Sequence, residues 1–344
     1  MDWRVIPLVI VNVMLSSATL TPVISVSGDV YLAGIFTIKS STFEHECNGP
    51  VSTSSVMGLG AVKWAVRRLN QNNFIPGVQL GLIAYPTCLS EELAGYRAVE
   101  ISTAIKEKSE NIMGIVGAER SSDSESMSTV LARLPRSIAP PMISYSSTSV
   151  SLSDKSTFPN FFRTIYSDKI QVKVIITLML ELHWNYISIV HENNAYGRHG
   201  AEALRTQLLN HGICIRTVNG FNTTYGVQIS VLSQIISDVT LPKGGAVSGI
   251  VFFGGQSSAE KLLTAMKDIN LGEDTPSIIF SEGVGMSKEV FKAETIAASR
   301  GNLVVSPKYQ PVDSFLEHWK AIFTNKTLLL YEIQTNPWLK DVFL

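Results

Sequence analysis

The chain is predicted to fold as two successive α/β units, each a doubly wound parallel sheet with helices on both faces. Three observations predict this. Apolar runs of strand length recur along most of the sequence, helix-period segments alternate with them, and the connections between them are short. The alternation restarts once, after Phe161–Thr164, so one sheet is followed by a second. A chain of 344 residues has room for two such units at ordinary domain size.

The first unit opens with an apolar strand at Val30–Ile38. A helix follows over Val56–Leu69, where Val56, Leu59, Val62, Val66 and Leu69 recur at helical spacing. Strand Val78–Tyr85, helix Glu91–Ile105, strand Ile112–Val116, helix Ser124–Leu134 and strand Met142–Tyr145 continue the pattern. The second unit is expected to run helix Ile170–Leu182, strand Tyr186–Val190, helix Gly200–Asn210 and strand Ile213–Val218. Helix Val227–Ser237, strand Gly249–Phe253, helix Ala259–Asp268 and strand Ser277–Phe280 complete it. A further helix is predicted at Phe315–Phe323. In such sheets a ligand sits at the carboxyl edge of the strands or in the cleft between two units.

The N-terminus reads as an export signal, approximately residues 1–18. Arg4 precedes the apolar run Val5–Leu15, and Ser16-Ser17-Ala18 offers the small residues of a cleavage site. Asn12 and the early Ser/Thr cluster make that run too short for a bilayer, and no later run is long enough. Sequons at Asn222 and Asn325 agree with export as glycosylation sites. Net charge is −1, with 28 basic and 29 acidic residues, which argues against a nucleic-acid partner. Three cysteines is an odd count for an exported chain. Cys47 and Cys88 flank a predicted helix, so a loop-to-loop disulfide is plausible. Cys214 is then either a buried thiol in an apolar strand or bonded to something outside this chain.

No enzyme chemistry stands out. Gly58-Leu59-Gly60 falls inside a predicted helix and has Lys63 where a dinucleotide loop needs glycine. There is no phosphate loop, no nucleophile elbow, no metal spacing and no sign of a cofactor site. Binding chemistry is visible instead. Strand Ile112–Val116 runs into Gly117-Ala118-Glu119-Arg120-Ser121-Ser122-Asp123 ahead of a helix. This serine-rich junction is either an anion site or a simple cap by Ser122 or Asp123. The next strand ends in a second hydroxyl-rich turn, Ser144-Tyr145-Ser146-Ser147-Thr148-Ser149. Two small polar turns at neighbouring edges suit a carboxylate and an ammonium. Asp168, Tyr196 and Glu282 stand at edges of the second unit, where an acid or an aromatic face can hold an ammonium.

These segments, in order, resemble the ligand-binding region of class C G-protein-coupled receptors, the group of metabotropic glutamate, calcium-sensing, taste and pheromone-type receptors. The resemblance rests on Gly114–Ser122, Ile143–Ser149, Leu152-Ser153-Asp154-Lys155, Phe161-Phe162-Arg163-Thr164, Trp184-Asn185-Tyr186, Tyr196-Gly197-Arg198, Gly212-Ile213-Cys214-Ile215 and Asn336-Pro337-Trp338. It implies a periplasmic-binding-protein-like (type I) venus flytrap. Lobe 1 would span 28–165, lobe 2 166–304, and 305–344 would return to a lobe 1 that is incomplete at its C-terminus. It further implies ligand-binding roles for Ser121, Ser146 and Thr148 in lobe 1 and for Asp168, Tyr196 and Glu282 in lobe 2. Glu282 is the acid of the calcium-sensing and taste branches. The resemblance pairs Cys47 with Cys88 and matches Cys214 to the cysteine that bonds a following cysteine-rich domain.

The departures point away from glutamate as the ligand. Where glutamate receptors carry an arginine for the distal acid this chain has Gly58, the nearby aromatic is Ser54, and Arg120 replaces a small residue. The expected ligand is a neutral, polar or basic amino acid. The expected partner is a second receptor chain, docked through helix Ser124–Leu134. The loop Lys106–Asn111 lacks the cysteine that often ties protomers together. Cysteine-rich and seven-helix domains would follow in a full-length receptor at the plasma membrane. The alternatives are a secreted decoy or scavenger, and a natriuretic-peptide-type receptor ectodomain.

Overall fold

The computed structural model describes residues 21–40, 49–223, 226–240, 247–269, 275–285, 290–292 and 294–343. The expected leader and Cys47 lie outside the described residues. Along the first part of the chain run β1 (Val23–Val26), β2 (Val30–Thr37), α1 (Thr53–Gln71), β3 (Leu80–Thr87), α2 (Glu91–Glu107), β4 (Ile112–Val116), α3 (Ser121–Leu131), β5 (Met142–Ser144) and β6 (Phe161–Arg163). The six strands form one sheet in the order β1-β3-β2-β4-β5-β6. All pairs are parallel except β1 with β3.

The second part runs α4 (Asp168–Glu181), β7 (Tyr186–Glu192), α5 (Ala195–Leu208), β8 (Cys214–Phe221), α6 (Ile229–Thr240), β9 (Gly249–Phe253), α7 (Gln256–Ile269), β10 (Ser277–Phe280), α8 (Ile296–Ser299) and β11 (Leu303–Val304). Its five strands form an all-parallel sheet in the order β11-β10-β9-β7-β8. Three helices follow: α9 (Asp313–Thr324), α10 (Lys326–Thr335) and α11 (Leu339–Phe343).

Each sheet is apolar on both faces because successive side chains point to opposite sides. In the first sheet Ala33, Ile35, Ile83 and Tyr85 face the layer of α2 and α3. Their neighbours Phe36, Ile38, Leu82 and Ala84 face α1 and the final helices, against Trp319, Ile322, Trp338 and Leu339. In the second sheet Val190, Ile250, Phe252 and Phe280 face α6 and α7, while Ile189, Val251, Phe253 and Ile279 face α4 and α5. Two fully covered sheets are the physical basis of a two-lobed molecule.

The differences from the sequence reading are local. The edge strand β1 pairs antiparallel with β3, and its short, mixed sequence carries no strand period. Helix α3 begins at Ser121, three residues before the expected start, and its N-cap is Arg120 with no side-chain capping bond. The expected cap by Ser122 or Asp123 is therefore incorrect. Both lie within the first turn, and the Ser122 hydroxyl instead accepts from the Ala195 amide of the other lobe at 3.3 Å. Cys214 is exposed with a free thiol, which removes the buried-thiol reading. It opens β8, the edge strand, so its side chain meets solvent instead of a second layer. Few side chains of α3 reach solvent, and α2, which packs against it, exposes Tyr96 and Val99.

Candidate functional site

Both sheets direct their carboxyl ends toward a shared cleft. From the first sheet come the turns after β4 and β5. Gly117 has φ +119°, and a Cβ there would lie 2.6 Å from the Ile35 carbonyl oxygen, so only glycine lets the chain leave β4 this close to β2. That turn delivers Ser121 to the start of α3, where backbone amides lack a side-chain cap. An N-terminus of this kind attracts an anion through its free N–H groups and the helix dipole. Helices α1, α2, α4 and α5, by contrast, are closed by Ser52, Ser90, Ser167 and Asn194.

The turn after β5 is held by the Ser144 hydroxyl, which accepts from the Ser146 and Ser147 amides at 3.2 and 2.9 Å. It donates to the Ala118 carbonyl at 2.7 Å, locking the two turns together. The Ser149 amide donates to the Ser121 hydroxyl at 3.2 Å. Half-buried Ser146 and buried Thr148 thus lie on a turn that is anchored to Ser121.

From the second lobe, the Thr148 hydroxyl donates across the cleft to Glu282 Oε1 at 3.1 Å. Glu282 follows β10, Tyr196 opens α5 after β7, and Asp168 opens α4. Gln171 ties these together. Its amide nitrogen donates to Asp168 Oδ1 at 2.8 Å and to the Tyr196 hydroxyl at 3.5 Å, and its oxygen accepts from the Glu282 amide at 2.6 Å. The Tyr196 hydroxyl also accepts from the Gly283 amide at 3.2 Å. Its ring packs edge-on against Phe253, centroids 6.5 Å apart.

The electrostatics of this group are unbalanced. Burial pushes the Asp168 carboxyl up to about 7, and the nearby Glu282 carboxylate adds to the rise. Burial likewise raises Glu282, and it raises the Tyr196 phenol well above its ordinary value. Asp168 Oδ2 is buried and lacks a hydrogen-bond partner. Thr148 stands near it, but the single hydroxyl proton goes to Glu282. Arg163, whose charge opposes the rise at Asp168, donates to the Ser147 and Ser149 carbonyls at 3.3 and 2.9 Å. Among the described residues, two carboxylates thus share a cleft without a cation seated between them, which is the arrangement that accepts one.

Of the six residues singled out in the sequence, Thr148, Asp168, Tyr196 and Glu282 are joined through the bonds above, Ser121 is tied to the turn of Thr148 through Ser149, and Ser146 lies on that same turn. The structure adds Gln171, which sequence reasoning missed. Its spacing of three from Asp168 on one helix face was the available signal. Also missed was a further contact between the lobes, where His199 Nδ1 lies 3.0 Å from the Ser149 hydroxyl and 3.3 Å from Glu125 Oε1. Among the described residues no group of three or more His, Cys, Asp or Glu is placed to hold a metal. No described helix is long and apolar enough to cross a membrane.

A family of receptor ligand-binding regions matches residues 58–328, more than half of the chain, from β3 through the whole second sheet. The chain belongs to this family. It is not an enzyme family, and the two-lobed, periplasmic-binding-protein-like fold is its architecture. The metabotropic glutamate receptor of Drosophila melanogaster is 26% identical over 341 residues, which cover 92% of this chain and 33% of that protein. Metabotropic glutamate receptor 4 of Rattus norvegicus is 25% identical over 332 residues, 89% of this chain and 34% of that protein. Taste receptor type 1 member 1 of Mus musculus is 29% identical over 222 residues, 58% of this chain and 26% of that protein. These relatives make this a ligand-binding region of the class C receptor kind. The chain spans about a third of the length of the metabotropic relatives it matches.

Proposed function

We propose that this ligand-binding region takes an α-amino acid in the cleft between its lobes. The ligand carboxylate would sit at the uncapped start of α3 with the Ser121 and Ser146 hydroxyls. The ammonium would sit between Thr148, Asp168 and Glu282, with Tyr196 offering its ring and hydroxyl. The observation that carries this reading is the pair of facing carboxylates, Asp168 and Glu282, with Asp168 Oδ2 buried and unpartnered. An ammonium supplies both the missing charge and the missing donor.

Ligand bound to both lobes favours the state in which the lobes touch, and that shift is the signal a receptor would transmit. In a full-length receptor this means the extracellular side of the plasma membrane, a paired second chain, and cysteine-rich and membrane domains. Exposed Cys214 supports a covalent link of this kind, and exposed Asn222 and Asn325 support glycosylation. A bond between Cys47 and buried Cys88 is part of the same proposal. For the pairing surface through α3, the exposed Tyr96 and Val99 of the adjoining α2 would add apolar area.

The test is a thermal-shift screen of the secreted chain against the twenty amino acids, repeated with Thr148→Ala and Glu282→Ala. A ligand at a hundred times its Kd stabilises the chain by about 2.7 kcal/mol. A shift that disappears in both variants is the expected result. A folded chain that no amino acid shifts would end the amino-acid reading.

A further inference from the structure

Beside the proposed amino-acid cleft, on the side facing α1, lies a second set of polar groups that the carboxylate and ammonium contacts do not use. Glu119 stands two residues before Ser121 on the turn after β4, and its Oε2 accepts from the Ser55 hydroxyl in the first turn of α1 at 2.6 Å. Tyr145 immediately precedes Ser146 on the turn after β5. Its hydroxyl oxygen is buried and has no hydrogen-bond partner. A Cβ built at Gly58 of α1 would meet that hydroxyl at 3.8 Å and no other neighbouring element within 4 Å among the described residues, so there is room here between α1 and the two turns.

The charges here do not cancel. The neighbouring cation, Arg120, is turned to Asp123, with Nη1 3.4 Å from Oδ1. Asp123 is wholly buried and also accepts from Thr37 at 3.5 Å. Glu91 of α2 adds a further negative charge felt at Asp123. Among the described residues, one arginine therefore faces two buried-side acids, and Glu119 has a neutral serine as its side-chain donor. Burial raises the Glu119 carboxyl, with Ser55 and Arg120 only partly opposing it. Placed this way, Glu119 is costly unless a cation arrives.

Geometry connects the two places. An amino acid held by Ser121 and Ser146 at its carboxylate, and by Thr148, Asp168 and Glu282 at its ammonium, has the lobe-2 side of the cleft filled. Its side chain is left to extend along the lobe-1 turns toward Ser55, Gly58, Glu119 and Tyr145. We propose that the ligand carries a second positive charge at the far end of its side chain, that it is a basic amino acid, and that Glu119 is the residue that selects it. The Tyr145 hydroxyl is then a neutral acceptor for the same cationic group. This assignment rests on the amino-acid reading of the cleft.

The experiment measures Kd by calorimetry on the secreted chain for arginine against citrulline and for lysine against norleucine, with agmatine and cadaverine as amines lacking the α-carboxylate. Arginine and lysine are expected to bind about ten- to a hundredfold more tightly than their uncharged counterparts, the range of one charge-assisted contact. Glu119→Gln should remove that preference while leaving citrulline and norleucine unchanged, and Tyr145→Phe should weaken it by a smaller factor. Equal binding of charged and uncharged partners, or a preference that survives Glu119→Gln, would overturn the assignment. The amine arms separate it from the parent reading. If no amino acid binds but agmatine binds in a Glu119-dependent way, the cationic subsite stands and the amino-acid reading falls. If the amines fail as well, both fall.

Discussion

Two buried acidic sites in this molecule are built in opposite ways. Glu332 on α10 lies almost out of solvent against α1, where Lys63 donates to its carboxylate and its carbonyl, and Arg67 Nη1 reaches Oε1 at 2.6 Å. Burial pushes the Glu332 carboxyl up, but the bonds and charges of Lys63 and Arg67 outweigh it and hold the group below its ordinary value. Burial draws Lys63 down to about 8, with Glu332 opposing, so it is charged at neutral pH. In the cleft, Asp168 and Glu282 are similarly withdrawn from water, yet each has a carboxylate for its neighbour and both are raised. A buried acid that is fully paired fastens one element to another. A buried pair of acids left short of a cation is a place for something that is not part of the chain.

The largest effect that would break this comparison is at Glu332. Its replacement by alanine strands the Lys63 ammonium in a site where that side chain is 1% exposed, at a cost of about 3–5 kcal/mol. Chemical denaturation measures it, and a loss under about 1 kcal/mol would mean the pair is not structural. Asp168→Asn should act in the other direction. Without ligand at pH 8 it relieves an ionised carboxylate in an unfavourable place, and stability should rise by something on the order of 1–2 kcal/mol. In the same variant, ligand affinity should fall at least about tenfold, the loss of one charge-assisted contact. A destabilised Asp168→Asn would place it with Glu332 among the structural acids.

The sequence made the two kinds of site unequally legible. Asp168, Tyr196 and Glu282 follow from rules about where parallel sheets bind ligands, because each stands at a strand or helix end that faces the cleft. The central strands β4, β9 and β10 were legible to the residue, since continuous apolar runs bounded by polar turns fix their ends. Lys63 and Glu332 were not legible. They are 269 residues apart, and each falls where helical periodicity alone gives no partner. Helices α10 and α11 were missed because Lys326–Thr335 is apolar without a clean face, so its packing against α1 had to be seen in three dimensions. The start of α3 was misplaced because Ser122 and Asp123 are ordinary caps by residue type. Their positions are decided instead by the cleft, where Ser122 reaches the other lobe and Asp123 is buried by Thr37 and Arg120.

Protonation sharpens the same contrast. Asp168 keeps its proton in the folded chain up to about pH 7, but loses it near its ordinary value of 3.8 when unfolded. Between those values the folded state binds more protons, so stability falls as pH rises through the window. Asp123 contributes in the same sense up to about pH 6. Glu332 has the opposite sign: its contribution is present above the unfolded value of 4.5 and is lost as pH falls through its lowered folded value. Denaturant curves between pH 4 and 8 should therefore show Asp168→Asn flattening the decline toward pH 7 while leaving the acid-side loss in place. Saturating ligand should reduce the same decline, because its ammonium stabilises the ionised carboxyl. A slope unchanged in Asp168→Asn would remove Asp168 from the titrating groups.

The smallest effect expected is at His199, where the lobes meet outside the carboxylate pair. Its ring is raised above the ordinary imidazole value, first by the hydrogen bond to Glu125 and then by that group's charge, against burial. The contribution is thus complete below the unfolded value of 6.5 and is lost as pH rises through the higher folded value. Both side chains remain partly open to water, at 37% and 20% exposure, so the ion pair should be worth only about 0.2–1 kcal/mol. A double-mutant cycle of His199→Ala with Glu125→Gln should show coupling of that size at pH 6 that declines as the pH is raised into the alkaline range. Coupling of several kcal/mol would make this contact a fastening like Glu332, and lobes fastened so firmly could not respond to a ligand. A weak, reversible contact between lobes beside a strong one within a lobe is what a cleft that opens and closes requires.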